Sequence, residues 1–212
     1  MALYLSTVSV LLWDTLKLLM SIKELDKFRI VGGTSLSLQL GHRESVDIDL
    51  FTDAEYGSID FNKIDEILNQ NFAYVESFTT TEIGMGKSYF IGQDENNLLK
   101  LDLFYTDLFV FPGLEIEHIR FAAIEEIIAM KFEVIAQGGR KKDFWDIHEL
   151  LEYYSLNEMI NCYFKRYPYN ADKDLLLKKI IDFDIADSEF TPICYRGKYW
   201  ELIKQDFEDL LR

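Results

Sequence analysis

The sequence predicts an α+β fold, a small mixed β-sheet flanked by helices and followed by a helical C-terminal half. Strand-like runs cluster in the first half of the chain, whereas from Ala122 onward the periodic segments have helical spacing. The Pro112-Gly113 pair places a soft boundary between a core over 1–112 and a helical region over 113–212. For 212 residues, that division suits one domain with an appendage or two small domains.

In order, a helix over 8–22 puts Leu11, Leu12, Leu16 and Leu19 on one buried face. Phe28 to Val31 is a short β-prone run that stops at Gly32-Gly33. Leu36 and Leu40 are four apart, and Gly41 follows them, which predicts a short helix over 34–40 with a glycine cap. Val46-Asp47-Ile48-Asp49-Leu50-Phe51 alternates apolar and acidic residues, as a half-buried strand does. A helix over 60–71 and strands over 73–80, 87–92 and 98–105 complete the first half. The second half reads as helices over 122–137, 141–154, 156–165, 172–183 and 198–212.

Composition narrows the function. With 22 Lys+Arg against 37 Asp+Glu, the net charge is -15, so the surface on average repels polyanions. This argues against a general nucleic-acid coat or a binder of acidic membranes. Cys162 and Cys194 form no CxxC or Cys/His cluster, which fits free thiols in a reducing cytoplasm. Residues 1–20 are apolar but carry no Lys or Arg before Lys17 and no small-residue cleavage site, and Trp13-Asp14 interrupts them. Export and membrane insertion are not expected, and the predicted location is cytoplasmic.

Asp47 and Asp49, two apart on a strand, face one way, close enough to share a divalent cation. Asp102, in Leu101-Asp102-Leu103, is a third acid at an alternating strand position. Two such charges at ~4 Å repel by roughly 4 kcal/mol at an effective dielectric near 20. A face carrying three of them needs a cation or a proton, and Mg2+ prefers oxygen ligands. Gly32-Gly33 ends a strand and opens a helix, so free N–H groups there make an anion site, with the Thr34 and Ser35 hydroxyls in reach. An anion cradle beside a carboxylate pair describes a site for a nucleoside triphosphate (NTP) and its metal.

Val31-Gly32-Gly33, a gap of thirteen residues, Asp47-Ile48-Asp49 and Leu101-Asp102-Leu103 resemble the signature of the polymerase-beta-like nucleotidyltransferase superfamily. Within it, VGGTSLSLQLGHRESVDIDLF from Val31 to Phe51 is similar to the AbiEii/AbiGii-type nucleotidyltransferase toxin family. Ala129-Met130-Lys131 and the run from Arg140 to Ile147 resemble that family's later motifs, and the likeness spans roughly residues 25–155. The resemblance implies a nucleotidyltransferase fold in which Asp47 and Asp49 hold Mg2+, Asp102 is the third acid and base, and Lys131 faces the triphosphate. The residues alone say of Lys131 that its head must snorkel or meet an anion.

Asp143 and Asp146 share a helix face, where one orients Lys131 or contacts the base or acceptor, or Asp143 serves the helix dipole. Arg43 and Ser45 contact phosphate or lie solvated at the strand entry. His42, His118 and His148 have no triad partner and read as structural. Arg140-Lys141-Lys142 is the densest basic run, either a solvated helix start or a local phosphate or RNA contact. Tyr163, Phe164, Tyr167 and Tyr169 read as packing residues.

The expected activity is Mg2+-dependent transfer of a nucleoside monophosphate (NMP) from an NTP to an acceptor hydroxyl, with release of pyrophosphate. By resemblance the protein is the toxin of a toxin–antitoxin or phage-defence pair, with tRNA or another RNA as acceptor and a cognate antitoxin protein as partner. Two rivals remain open at this point, a small-molecule nucleotidyltransferase of the antibiotic-modifying kind and a catalytically idle nucleotide- or partner-binding module.

Overall fold

The computed structural model describes residues 2–77, 84–169 and 172–212. Its strands are β1 (Arg29–Ile30), β2 (Ile48–Thr52), β3 (Tyr74–Ser77), β4 (Gly86–Asp94), β5 (Asn97–Tyr105), β6 (Leu114–Ile116) and β7 (Ile119–Phe121). Among the described residues they form one mixed sheet in the order β3-β4-β5-β2-β1-β7-β6. β2 runs parallel to β5 and β1 parallel to β7, while the other neighbours are antiparallel.

Period-2 alternation sorts the central strands into two faces. Ile48 and Leu50 of β2 and Leu101 and Leu103 of β5 are fully buried. They pack with Leu12, Leu16 and Leu19 of α1 (Val10–Ser21) and with Ile64 and Leu68 of α3 (Phe61–Asn71). The residues between them, Asp49, Phe51, Lys100, Asp102 and Phe104, are only partly buried and point to the opposite face. Both flanking helices begin at side-chain caps. Ser9 accepts from the Leu12 amide and Asp60 from the Lys63 amide.

A second core lies among the later helices, α4 (Ile124–Ala136), α5 (Lys141–Leu150), α6 (Leu156–Arg166), α7 (Lys173–Ile180), α8 (Asp184–Asp187) and α9 (Trp200–Leu210). Phe144 is at its centre, with ring centroids 5.2 Å from Phe183 and 6.0 Å from both Trp200 and Phe207. Helix α2 (Gly32–Leu40) contributes Leu36 and Leu40 to this cluster, so it joins the sheet to the helices. The connection after β5 is clamped as well. Buried Glu126 accepts the Val110 and Phe111 amides at 3.0 and 2.9 Å and pairs with buried Arg166, which also reaches the Leu108 carbonyl at 3.2 Å.

The sheet continues past the expected division at Pro112-Gly113. β6 and β7 form a hairpin that pairs with β1, and helices alone begin at Ile124. Its turn residues, Glu117 and His118, both take positive φ (51° and 64°). That conformation normally recruits Asn or Gly, so the usual turn signal is missing from the sequence. The segment over 172–183 is interrupted between α7 and α8, where the Asp182 carboxylate accepts the Asp184 amide at 3.5 Å. The strand expected over 73–80 is β3 up to Ser77, and its last three positions lie outside the described residues. Among the described residues, no helix is long and apolar enough to cross a membrane. Cys162 is buried and Cys194 half-buried, both as free thiols.

Truncating Phe144 to Ala removes the ring that Phe183, Trp200 and Phe207 surround. The expected loss is about 3–5 kcal/mol of unfolding free energy, read from urea titrations of Phe144→Ala against wild type.

Candidate active site

Asp49 and Asp102 occupy the same register on parallel neighbours β2 and β5. Adjacent strands lie ~4.8 Å apart, so both carboxylates rise side by side from the open face. Asp47 precedes β2 by one residue. Burial pushes the Asp49 carboxyl up to about 6, with Asp102 and then Asp47 adding to the rise against the pull of Lys131 and Lys142. The outer acids each have a polar neighbour. Ser88 Oγ donates to Asp102 Oδ1 at 2.6 Å, Lys100 Nζ lies 2.5 Å from Asp102 Oδ2, and Lys142 Nζ lies 3.9 Å from Asp47 Oδ2. In this arrangement no three acidic, His or Cys residues among those described are grouped to hold an ion. The donors are nevertheless all hard carboxylate oxygens, and their mutual repulsion favours a bound cation, so the set suits Mg2+.

The two glycines have separate reasons. Gly32 has φ +67°, and a Cβ there would lie 2.4 Å from Asp49 Oδ2. At Gly33 a Cβ would lie 2.3 Å from Arg43 Nη2. Both form the first turn of α2 itself, pressed against a carboxylate on one side and a guanidinium on the other.

Thr34 and Ser35 depart from the expectation that their hydroxyls reach a phosphate. They are 1% and 0% exposed. Thr34 Oγ1 contacts Ser45 Oγ at 2.8 Å and the Asp47 carbonyl, and Ser35 Oγ accepts from Gln39 at 3.1 Å. Thr34 therefore ties α2 to the segment entering β2, while the Ser35 bond stays within α2. Ser45, itself buried, belongs to the same tie.

Lys131 and Arg43 are likewise withdrawn from solvent. Lys131 Nζ is 2.6 Å from Asp143 Oδ1 and 2.7 Å from Asp146 Oδ2. Arg43 grips Asp146 through Nε at 2.6 Å and Nη2 at 2.8 Å, and His42 Nε2 lies 2.8 Å from the same carboxylate. Asp143 also accepts from Arg140 Nε at 2.9 Å. Burial alone would raise the Asp146 pKa, but Arg43, Lys131 and the hydrogen bonds from His42 and Arg43 hold it well below the usual carboxylate range. Burial opposes the charge on Lys131, yet Asp143 and Asp146 outweigh it and raise its pKa. Of the roles open to Asp143, its contacts are those of a group that orients Lys131. His148 pairs with Asp206 at 2.8 Å, while the His118 side chain is 98% exposed in the β6–β7 turn.

Lys142 belongs to the basic run Arg140-Lys141-Lys142, for which the sequence left a solvated helix start and a local phosphate or RNA contact open. Burial, with Arg140, Lys131 and Arg43 nearby, lowers its pKa against the pull of Asp47. It lines a cleft of about 640 Å³ together with Arg43, Ser45, Asp47, Arg140 and residues 188–193. The last segment is a strap from the C-terminal region. Lys141 Nζ donates to the Glu189 carbonyl at 2.7 Å, the Glu44 amide to Ile193 at 2.9 Å, and the Tyr195 amide to His42 at 2.8 Å. Such long-range bonds bring the strap to the acids, and no local motif announces them. A separate cleft of about 410 Å³, lined by Lys27, Arg29, Asp53 and Arg120 among others, contains none of the three acids.

Two expected outcomes follow from this electrostatic arrangement. Asp146→Ala leaves buried Arg43 without its carboxylate and Lys131 with Asp143 alone, and is expected to cost about 3–5 kcal/mol in a urea titration. For Asp49, the folded pKa exceeds the ordinary 3.8, so the folded state holds the extra proton and stability falls as pH rises from about 4 to about 6. Without divalent metal, Asp49→Asn should match wild-type Tm near pH 4 and exceed it at pH 8. An equal Tm at both pH values contradicts the repulsion.

The comparisons with known proteins agree with one another. The family model described as Nucleotidyl transferase AbiEii toxin, Type IV TA system, matches residues 17–212. An uncharacterized protein of Aquifex aeolicus is 28% identical over 202 residues, covering 92% of this chain and 91% of its own. Among solved structures, one from H. pylori named for a nucleotidyltransferase superposes with TM-score 0.57 at 19% identity, covering 93% of this chain and 90% of that one. MenT4, a nucleotidyltransferase toxin from Mycobacterium tuberculosis, superposes with TM-score 0.58 at 14% identity over 92% and 83% of the two chains. These two likenesses show the fold. The matched family model covers most of the chain, including all three acids, the glycine pair and the strap, and the chain belongs to the AbiEii nucleotidyltransferase toxin family.

Proposed function

We propose that the protein moves an NMP from an NTP to a hydroxyl of an RNA acceptor in the cytoplasm, with Mg2+, as the toxin of a toxin–antitoxin pair. The observation that carries this reading is the pairing in register of Asp49 with Asp102, with Asp47 nearby in a cleft that Arg140 and Lys142 also line. Asp47, Asp49 and Asp102 would hold the metal. When bound, Mg2+ neutralises the phosphates and steadies the charge that builds up as one P–O bond forms and another breaks.

The chain's own groups do the rest. Asp102, whose carboxylate accepts from Ser88, would take the proton of the acceptor hydroxyl. Lys142 and Arg140, at the cleft wall, face the polyanionic tail of the nucleotide. Lys131, Asp143, Asp146 and Arg43 act beneath them as a rigid floor that keeps Asp49 against the first turn of α2. The surface as a whole is acidic, so an RNA would approach by a short segment near Arg140 and Lys142 rather than along a broad face.

Purified protein, Mg2+, each of the four labelled NTPs and total RNA form the test. Label transfer to RNA is expected with wild type, and Asp49→Asn should lose at least ~100-fold of it. Transfer only to small hydroxylated molecules would replace the RNA acceptor. Retained transfer in Asp49→Asn would remove the assigned site, and no transfer together with no NTP- and metal-dependent Tm shift would sink the reading.

A further inference from the structure

Phe190 is wholly exposed, at 100%, yet it stands in the wall of the cleft that contains Asp47. Val46 and Ile193, each 62% exposed, line the same cleft. A large apolar ring left in water forgoes the burial that most Phe side chains obtain in this chain. Its backbone is nonetheless pinned. Lys141 Nζ holds the Glu189 carbonyl at 2.7 Å, the Lys141 amide donates to Glu189 Oε2 at 3.2 Å, and the Glu44 amide holds Ile193 at 2.9 Å. The ring is thus presented from an anchored strap, with little ordering left to be done on binding.

The same cleft is also lined by Arg140 and Lys142. One cleft therefore combines a flat apolar surface with two cations, which matches a nucleotide with its aromatic base and anionic phosphates. Base–aromatic stacking tolerates any sequence, because every base has a π-face. The net charge of -15 disfavours a long polyanion and favours a short nucleotide ligand.

We propose that Phe190, flanked by Val46 and Ile193, is the stacking platform for a nucleobase whose phosphates meet Arg140 and Lys142. The proposal rests on the nucleotidyltransferase reading and adds a base-binding residue to it. The base belongs either to the donor NTP or to the acceptor's terminal nucleotide, and the two sources are separable by experiment.

Calorimetric titrations of the full chain in Mg2+ would use the four NTPs, inorganic triphosphate and a short single-stranded RNA, with wild type, Phe190→Ala and Phe190→Trp. Phe190→Ala should weaken either the NTPs or the RNA about tenfold, equivalent to ~1.4 kcal/mol. Phe190→Trp should restore the affinity, and triphosphate, which has no base, should bind all three proteins alike. Loss confined to the NTPs assigns the donor's base, and loss confined to the RNA assigns the acceptor's. Tm should not change, because the ring packs against nothing. Unchanged nucleotide and RNA affinities in Phe190→Ala, or a matching loss for triphosphate, overturn the platform while leaving the nucleotidyltransferase reading intact. No binding of any NTP or triphosphate to wild type overturns both.

Discussion

The buried carboxylate of Asp146 takes Arg43 on two nitrogens, Lys131 on a third and His42 on a fourth, all within 2.8 Å. Three distant parts of the chain meet there, namely the segment before β2, helix α4 and helix α5, whose Asp143 also takes Arg140. A charge so deep in the molecule is tolerated only when partners surround it, and removal of any one partner leaves the others stranded. The node therefore sets where α2 lies relative to α4 and α5. Through Arg43 it also sets how closely the first turn of α2 can approach, because Arg43 leaves no room for a Cβ at Gly33.

On the other side of that turn the constraint is repulsion rather than pairing. Asp49, Asp102 and Asp47 gather where the sheet presents its open face, and burial plus their mutual repulsion lifts Asp49 to about 6. The anchored cations beneath and the half-buried lysines at the rim, Lys100 and Lys142, offset part of the repulsion without cancelling it. A protein that holds acids together at such cost has a site ready to prefer a hard cation, and the rigidity of the node keeps those acids from relaxing apart.

Much of this was legible in local pattern. The alternation through Asp47, Ile48, Asp49 and Leu50 put two acids on one face, and the run around Asp102 added the third. The glycine pair before Thr34 marked a strand-to-helix junction. What local pattern did not show is how Thr34, Ser35, Arg43 and Lys131 are partnered. Each has the right atoms for phosphate, and each is turned inward, because burial of a polar side chain depends on partners more than a hundred residues away in some cases, such as Asp146 for Arg43. The β6–β7 hairpin was missed for a different reason, since Glu117 and His118 adopt a left-handed turn that sequence preference assigns to Asn and Gly.

By itself, then, the sequence determined the α+β class and the order of elements up to β5, the three acids and their family, because period-2 alternation and short motifs are local properties of the chain. Tertiary structure alone decided that Asp49 and Asp102 stand in register and that Lys131 serves Asp143 and Asp146. It also carried the strap bearing Phe190 to the cleft. Those outcomes depend on long-range strand pairing and on the competition of buried charges for partners, and neither is encoded in any single stretch of residues.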